Sequence, residues 1–210
     1  MKQHIVFTVA AALTASAHGA SITIANITGS GQDLAFGNLI GEPLNSGFVA
    51  LYTFAPGSIP ATATDLQTNG LTGFLGLAQF DASQGINSPD AGAFSFDFTI
   101  ANTVANSDLF VVIGNMTEVA DSTGLSLLNT GIQLDGEDTG PTGDSASFSA
   151  TGANGEVLLG DVNRGDVDWG NTVGPTYTTN ILSLEAVPEP SSALLLGLSL
   201  LALAGNRRRK

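Results

Sequence analysis

Cysteine is absent from the 210 residues, which excludes disulfides, iron–sulfur clusters and thiol chemistry. Cations are scarce: Lys plus Arg is 6 against 19 Asp plus Glu, a formal net charge of -13. Nucleic-acid binding rests on cations that neutralise phosphates, so no nucleic-acid partner is expected. Histidine occurs only as His4 and His18, and five of the six cations (Lys2, Arg207, Arg208, Arg209 and Lys210) lie at the two ends. Residues 20–187 hold 18 acids, Arg164 as the single cation, no lysine and no histidine, a net of -17. Ser-His-Asp or Cys-His catalysis, His- or Cys-ligated zinc and Schiff bases cannot be built from that inventory. Neither a phosphate-binding G-x-x-x-x-G-K-[ST] loop nor a G-x-G-x-x-G turn is present. Carboxylate chemistry alone is left, either paired acids of the glycosidase kind or a carboxylate-bound cation. Among 18 acids some pairs arise by chance, so a solvated acidic surface is the plainer reading, and no enzymatic activity is expected.

What the chain does have is two informative ends. Residues 1–19 carry the marks of a secretory signal peptide: Lys2 supplies a positive start, residues 5–12 an apolar core, and small residues follow. Ala15-Ser16-Ala17 fits an A-x-A cleavage site and Ala17-His18-Gly19 fits nearly as well. Cleavage is expected after Gly19, with Ala17 as the alternative. At the other end come Pro188-Glu189-Pro190, an apolar stretch over residues 193–205, and then Arg207, Arg208, Arg209 and Lys210. Thirteen helical residues reach roughly 20 Å, short of the roughly 30 Å hydrocarbon core, and counting from Pro190 to Asn206 gives a marginal span. The terminal cations would stay on the cytoplasmic side and stop transfer there. A lipid-anchor signal lacks such a basic end, and a plain tail anchor has no need of Pro-Glu-Pro.

Pro188-Glu189-Pro190, the short Leu-rich stretch and the basic end together resemble the PEP-CTERM sorting signal of exopolysaccharide-producing Gram-negative bacteria. The resemblance covers about a tenth of the chain. It implies recognition by an exosortase-type membrane protease, processing at the Pro-Glu-Pro site, transient anchoring in the inner membrane, and delivery to the cell envelope or extracellular matrix. About residues 20–187 it implies nothing.

Those residues read as strands. Phe94, Phe96, Phe98 and Ile100 alternate with Ser95, Asp97 and Thr99, a period of two that gathers the apolar side chains on one face. Residues 109–113 form a continuous apolar run between turn signals, as a strand buried on both faces would. Residues 21–27, 48–54, 71–80, 145–150, 156–159 and 176–185 are further candidates. Gly, Pro, Asn and Asp clusters separate them, at 55–57, 87–90 and 139–141 for example. No convincing amphipathic helix occurs outside the two ends, although residues 119–128 allow one or two turns. The pattern predicts one all-β domain, a β-sandwich or jelly roll.

The sites that stand out within the domain are few. Asp161, Asn163, Asp166 and Asp168 resemble the start of a calcium-binding D-x-[DN]-x-[DN]-G loop. The match fails at Gly165, at Asp166 where glycine is required, and at Thr172 in the twelfth place. A calcium site of another kind, or a turn with exposed acids, is what those residues allow. Asp135, Glu137 and Asp138 form a second acidic cluster. Trp169, the single tryptophan, is either a sugar-stacking platform or a core residue. Asn26-Ile27-Thr28 and Asn115-Met116-Thr117 match the N-x-[ST] glycosylation sequon, which the bacterial resemblance argues against using. The expectation is therefore an exported surface or matrix protein, with a signal peptide (1–19), an acidic domain (20–187) and a sorting tail (188–210). Its expected role is structural or adhesive in an exopolysaccharide layer, without a required cofactor. A carbohydrate-binding module on Trp169 and a carboxylate glycosidase are the alternatives.

Overall fold

The computed structural model of the chain describes residues 19–26, 34–69, 72–88, 90–101, 107–134, 145–149, 155–169 and 174–188. In chain order these form β1 (Gly19–Ala25), β2 (Leu34–Gly37), β3 (Ser46–Thr53), α1 (Ala63–Asn69), β4 (Phe74–Asp81), β5 (Ser95–Ala101), β6 (Ser107–Gly114) and β7 (Gly124–Leu134). There follow β8 (Ser145–Ser149), β9 (Glu156–Leu159), β10 (Asp161–Trp169), β11 (Gly174–Ser183) and β12 (Glu185–Ala186). The all-β expectation holds, with α1 as an exception that no amphipathic pattern announced.

A six-stranded sheet runs β12-β7-β6-β3-β4, with β9 also paired to β7. Its pairs are all antiparallel. Two three-stranded sheets, β5-β1-β8 and β10-β11-β2, each contain one parallel pair, β1 with β8 and β11 with β2. The large sheet is built around β3 and β6, which lie side by side and bury both faces. Successive side chains point to opposite faces of a strand. Val49 and Leu51 on β3 therefore join Leu109, Val111 and Ile113 on β6 in one apolar cluster. Phe48, Ala50 and Tyr52 join Phe110 and Val112 in another. The register matches this division, since Val49 faces Ile113, Ala50 faces Val112, Leu51 faces Val111 and Tyr52 faces Phe110.

The first cluster also draws on the two smaller sheets, through Ile22 and Ile24 of β1, Phe36 of β2, Phe98 of β5 and Leu182 of β11. The second is closed by Ala63 and Leu66 of α1, Leu159 of β9, and Val187 just beyond β12. Burial in this second cluster pushes the Tyr52 phenol up to about 12. Helix α1 starts where Thr62 Oγ1 accepts the Asp65 N–H at 3.0 Å, an N-cap. It survives at seven residues because Ala63 and Leu66 are wholly buried.

Three elements depart from the sequence expectation, each for its own reason. Residues 124–134 are strand β7, not helical turns. Its pairing shifts register at Leu127/Leu128 against β9 and at Asp108/Phe110 against β6, so its apolar residues do not keep a strict period of two. Strand β2 is four residues long, all buried, too short to show a period. Strand β10 has the composition of a turn but pairs with β11 over its whole length.

Asn26 joins the two smaller sheets. It is fully buried at the end of β1. Its Nδ2 donates to Leu34 O at 3.0 Å and to Gly92 O at 2.6 Å, and its Oδ1 accepts the Phe94 N–H at 2.7 Å. The backbone around it is cross-bonded: Phe36 N donates to Gly92 O, Gly92 N to Leu44 O, and Leu44 N to Phe36 O, at 3.0, 2.7 and 2.7 Å. Gly92 stands at φ +75°, and a Cβ there would lie 2.8 Å from Phe36 O, so glycine is required. Asn26→Ala would leave two carbonyls and one N–H buried without that partner. The expected loss is about 2–4 kcal/mol in urea unfolding, whereas an exposed asparagine would cost under about 0.5 kcal/mol.

Candidate functional site

The sorting tail leaves the domain without a spacer. In β12, Glu185 pairs with Leu125 and Ala186 with Gly124. Val187 N then donates to Thr123 O at 2.9 Å, and its side chain is buried in the second cluster. Glu185 Oε1 accepts the Ala63 N–H at 3.0 Å, so the same segment also holds the start of α1. The opposing backbone is fixed in turn, because Asn115 Oδ1 accepts the N–H groups of Thr123 and Gly124, each at 3.1 Å. Gln67 Nε2 ties α1 to the neighbouring loop through Ala120 O and Ser122 O, both at 2.9 Å. Pro188 is exposed and borders a shallow recess with Gln67, Asp121 and Val187. Glu189, Pro190, the apolar stretch and Arg207, Arg208, Arg209 and Lys210 lie outside the described residues, as does Ala17 of the signal segment. Gly19 is the first residue of β1 and pairs with Ala101. Among the described residues no helix is long and apolar enough to cross a membrane.

The acids at 161–168 are strand residues. Along β10 the pleat assigns Asp161 and Asn163 to one face and Asp166 and Asp168 to the other, so they do not converge as a loop would bring them. Asp166 accepts the Thr178 hydroxyl across the ladder at 2.5 Å. Asp97 of β5 accepts the Thr23 hydroxyl of β1 at 2.6 Å in the same manner. Among the described residues no group of three or more His, Cys, Asp or Glu could hold a metal ion. Trp169 ends β10 beyond a register shift. Asp135, Glu137 and Asp138 lie outside the described residues. Both sequon asparagines are structural: Asn26 is enclosed, and Asn115 braces the 123–124 backbone with Nδ2 donating to Thr123 Oγ1 at 2.8 Å.

Two clefts were not foreseen. One, of about 380 Å³, lies beside the β4 end and includes Gln79, Asp81, Gln84, Ile86, Met116 and Asp121. Asp81 Oδ1 accepts the Ser83 hydroxyl at 2.6 Å and the Ser83 N–H at 2.9 Å, and Oδ2 accepts Gln84 Nε2 at 2.8 Å. The Ser83 hydroxyl, foremost, holds this carboxyl below its usual range, with the other bonds adding to the effect. That is the reverse of what a general acid needs, since a proton donor at neutral pH requires a raised pKa. The signal was readable in Asp81-Ala82-Ser83-Gln84 as an Asx turn. The other cleft, of about 750 Å³, is bordered by Phe54, Pro56, Ser58, Ile59, Asp108 and Gln133. Phe54 is half-buried, stacked on Tyr52 at 5.7 Å and set edge-on to Phe110 at 5.1 Å, so its ring is held in place.

The lowered Asp81 value gives an acid-side prediction. An anion bonded only in the folded state contributes stability above the ordinary carboxylate range, about pH 4, and loses it as pH falls through the lowered folded value. Asp81→Ala should therefore melt below the parent at pH 7, with the gap shrinking as pH falls toward about 2. A gap of equal size at both pH values would refute the assignment.

No curated protein and no solved structure matches the chain. Residues 186–210 match the PEP-CTERM protein-sorting motif, so the match begins inside β12 and includes the whole basic end. The chain is thus an exported protein that carries a PEP-CTERM sorting motif, the signal by which exosortase, a membrane protease, recognises its substrates.

Proposed function

We propose that the chain is a non-enzymatic structural or adhesive component of an extracellular polysaccharide layer, released or anchored there through exosortase processing at Pro188-Glu189-Pro190. In this reading residues 20–187 are a single β-sandwich, with the six-stranded sheet as one layer, the two smaller sheets as the other, and the first apolar cluster between them. Residues 1–19 act as the signal peptide, and the tail helix holds the chain transiently in the membrane until processing.

The observation that carries this reading is the sorting motif fused directly to a domain with no histidine, cysteine or lysine. The polar side chains that stood out as functional candidates support it too, since Asn26, Asn115 and Asp166 are engaged in holding strands and turns together. A calcium requirement gains no support from the pleat of β10. A carboxylate glycosidase gains none from Asp81, whose proton is held too weakly for an acid catalyst.

A chain truncated after Val187 should pass into the medium, while the intact chain fractionates with the envelope of the producing cell. Native mature protein should have a mass that ends within residues 188–190, or that mass plus an attached group. Identical fractionation of the two chains would sink the sorting role in this protein.

A second reading, a carbohydrate-binding module, is favoured by the groove at Phe54 more than by Trp169. A fixed ring with hydroxyl, carboxylate and amide groups along the rim suits a sugar, whose CH face stacks on the ring while its hydroxyls bond at the edge. In affinity electrophoresis through the cell's own exopolysaccharide, the parent should be retarded and Phe54→Ala should run about tenfold closer to free mobility. Retardation lost with Trp169→Ala and kept with Phe54→Ala would return the site to the tryptophan.

A further inference from the structure

The matched motif and the folded domain overlap. The motif begins at residue 186, yet Ala186 is paired to Gly124, and Val187 is bonded to Thr123 and 7% exposed. Two residues of the signal are therefore part of the fold. Proteases take their substrates as extended chain, often as an added strand, and each residue spans only about 3.3–3.6 Å. A cut between residues 188 and 190 would bring the enzyme within a residue or two of a segment whose backbone is already bonded and whose Val187 side chain lies in the core. An active-site cleft cannot surround chain that is still packed on β7.

We infer that Glu185–Val187 is a clamp whose undocking gates processing of the tail. This rests on the proposed cleavage at Pro-Glu-Pro. The segment is suited to local opening: β12 has two residues and lies at the edge of its sheet, so it can detach while β7, β6 and β3 stay paired. Processing of the folded chain then proceeds at the enzyme's rate multiplied by the undocked fraction. A newly exported chain that has not yet folded presents residues 186–190 freely. Folding and processing are accordingly in competition, and the docked form is the slowly processed one.

Glu185 is the residue to alter, since it holds the clamp through the Ala63 N–H and lies outside the matched 186–210. Glu185→Ala removes one hydrogen bond to a charged group and should raise the undocked fraction about tenfold. In a pulse–chase of the full chain in producing cells, the tail should be lost about tenfold faster than in the parent. A second variant leaves the clamp untouched: a Gly-Ser spacer and a second copy of Ala186-Val187 are placed between Val187 and Pro188. It too should be processed about tenfold faster, and Glu185→Ala added to it should change nothing more. A third arm needs no exosortase. The recognition sequence of a site-specific endopeptidase is inserted directly after Val187 in the full chain, and Glu185→Ala should speed its cutting in vitro to the same degree.

Equal rates for parent, Glu185→Ala and spacer variants in cells would overturn the clamp while leaving processing intact. Absence of cutting in every variant would overturn processing, and the gating role with it. Equal endopeptidase rates with and without Glu185→Ala would overturn the docking that both depend on.

Discussion

The two-sided burial of β3 and β6 is the constraint on which the rest of the structure depends. Two adjacent strands that are apolar and buried throughout residues 48–52 and 109–113 have no face to give to water there, so each face needs a cover. The cover on one side is made by side chains of the two smaller sheets, gathered at Ile22, Ile24, Phe36, Phe98 and Leu182. On the other it is assembled from small pieces: α1, β9 and Val187. None of those pieces is large enough to be stable alone, and each is ordered by the apolar surface it closes. Helix α1 shows this well, with seven residues, an N-cap at Thr62, and two buried side chains.

The smaller sheets need a different device, because their strands come from distant parts of the chain and include parallel pairs that no hairpin can join. Asn26 supplies it. A side-chain amide can satisfy donors and acceptors on separate segments at once, which an apolar residue cannot, and in a buried place the satisfied network specifies one arrangement. The same economy appears at Asn115 and in the Thr–Asp pairs across β1/β5 and β10/β11. In a chain with one arginine in the domain, carboxylates cannot rely on cations, and hydroxyl and backbone donors take that role.

Legibility in the sequence follows from these two devices. Strands β3, β5 and β6 were readable because burial there depends on side-chain alternation or on continuous apolarity, both linear patterns. Strand β7 was not, because its register shifts break the period and leave a spacing that a helix would also produce. Strand β10 was hidden by its composition: Asp, Asn and Gly favour turns, and only pairing with β11 overrides that preference. The structural role of the sequon asparagines was hidden for another reason, since an asparagine that can be glycosylated and one that braces a junction look alike until burial is known. The sorting motif was legible for the opposite reason. The matched motif is written in residue order, although among its described residues Ala186 and Val187 also belong to the ladder and the core.

That difference makes the boundary between fold and signal a physical one. In the final segment Glu185 and Ala186 pair with β7, and Val187 N adds a bond to Thr123 O. The next residue is Pro188, which lies beyond β12 and is exposed, and it offers no N–H to a further strand on the outer edge. Pro188 thus marks the boundary twice: it lies just past β12 and Val187, and it opens the Pro-Glu-Pro of the matched motif. Because the domain closes its second apolar cluster with the residue immediately before, no spacer separates the two. A cut upstream of residue 187 would take a piece of the core with it, whereas a cut at or after Pro188 leaves the fold whole.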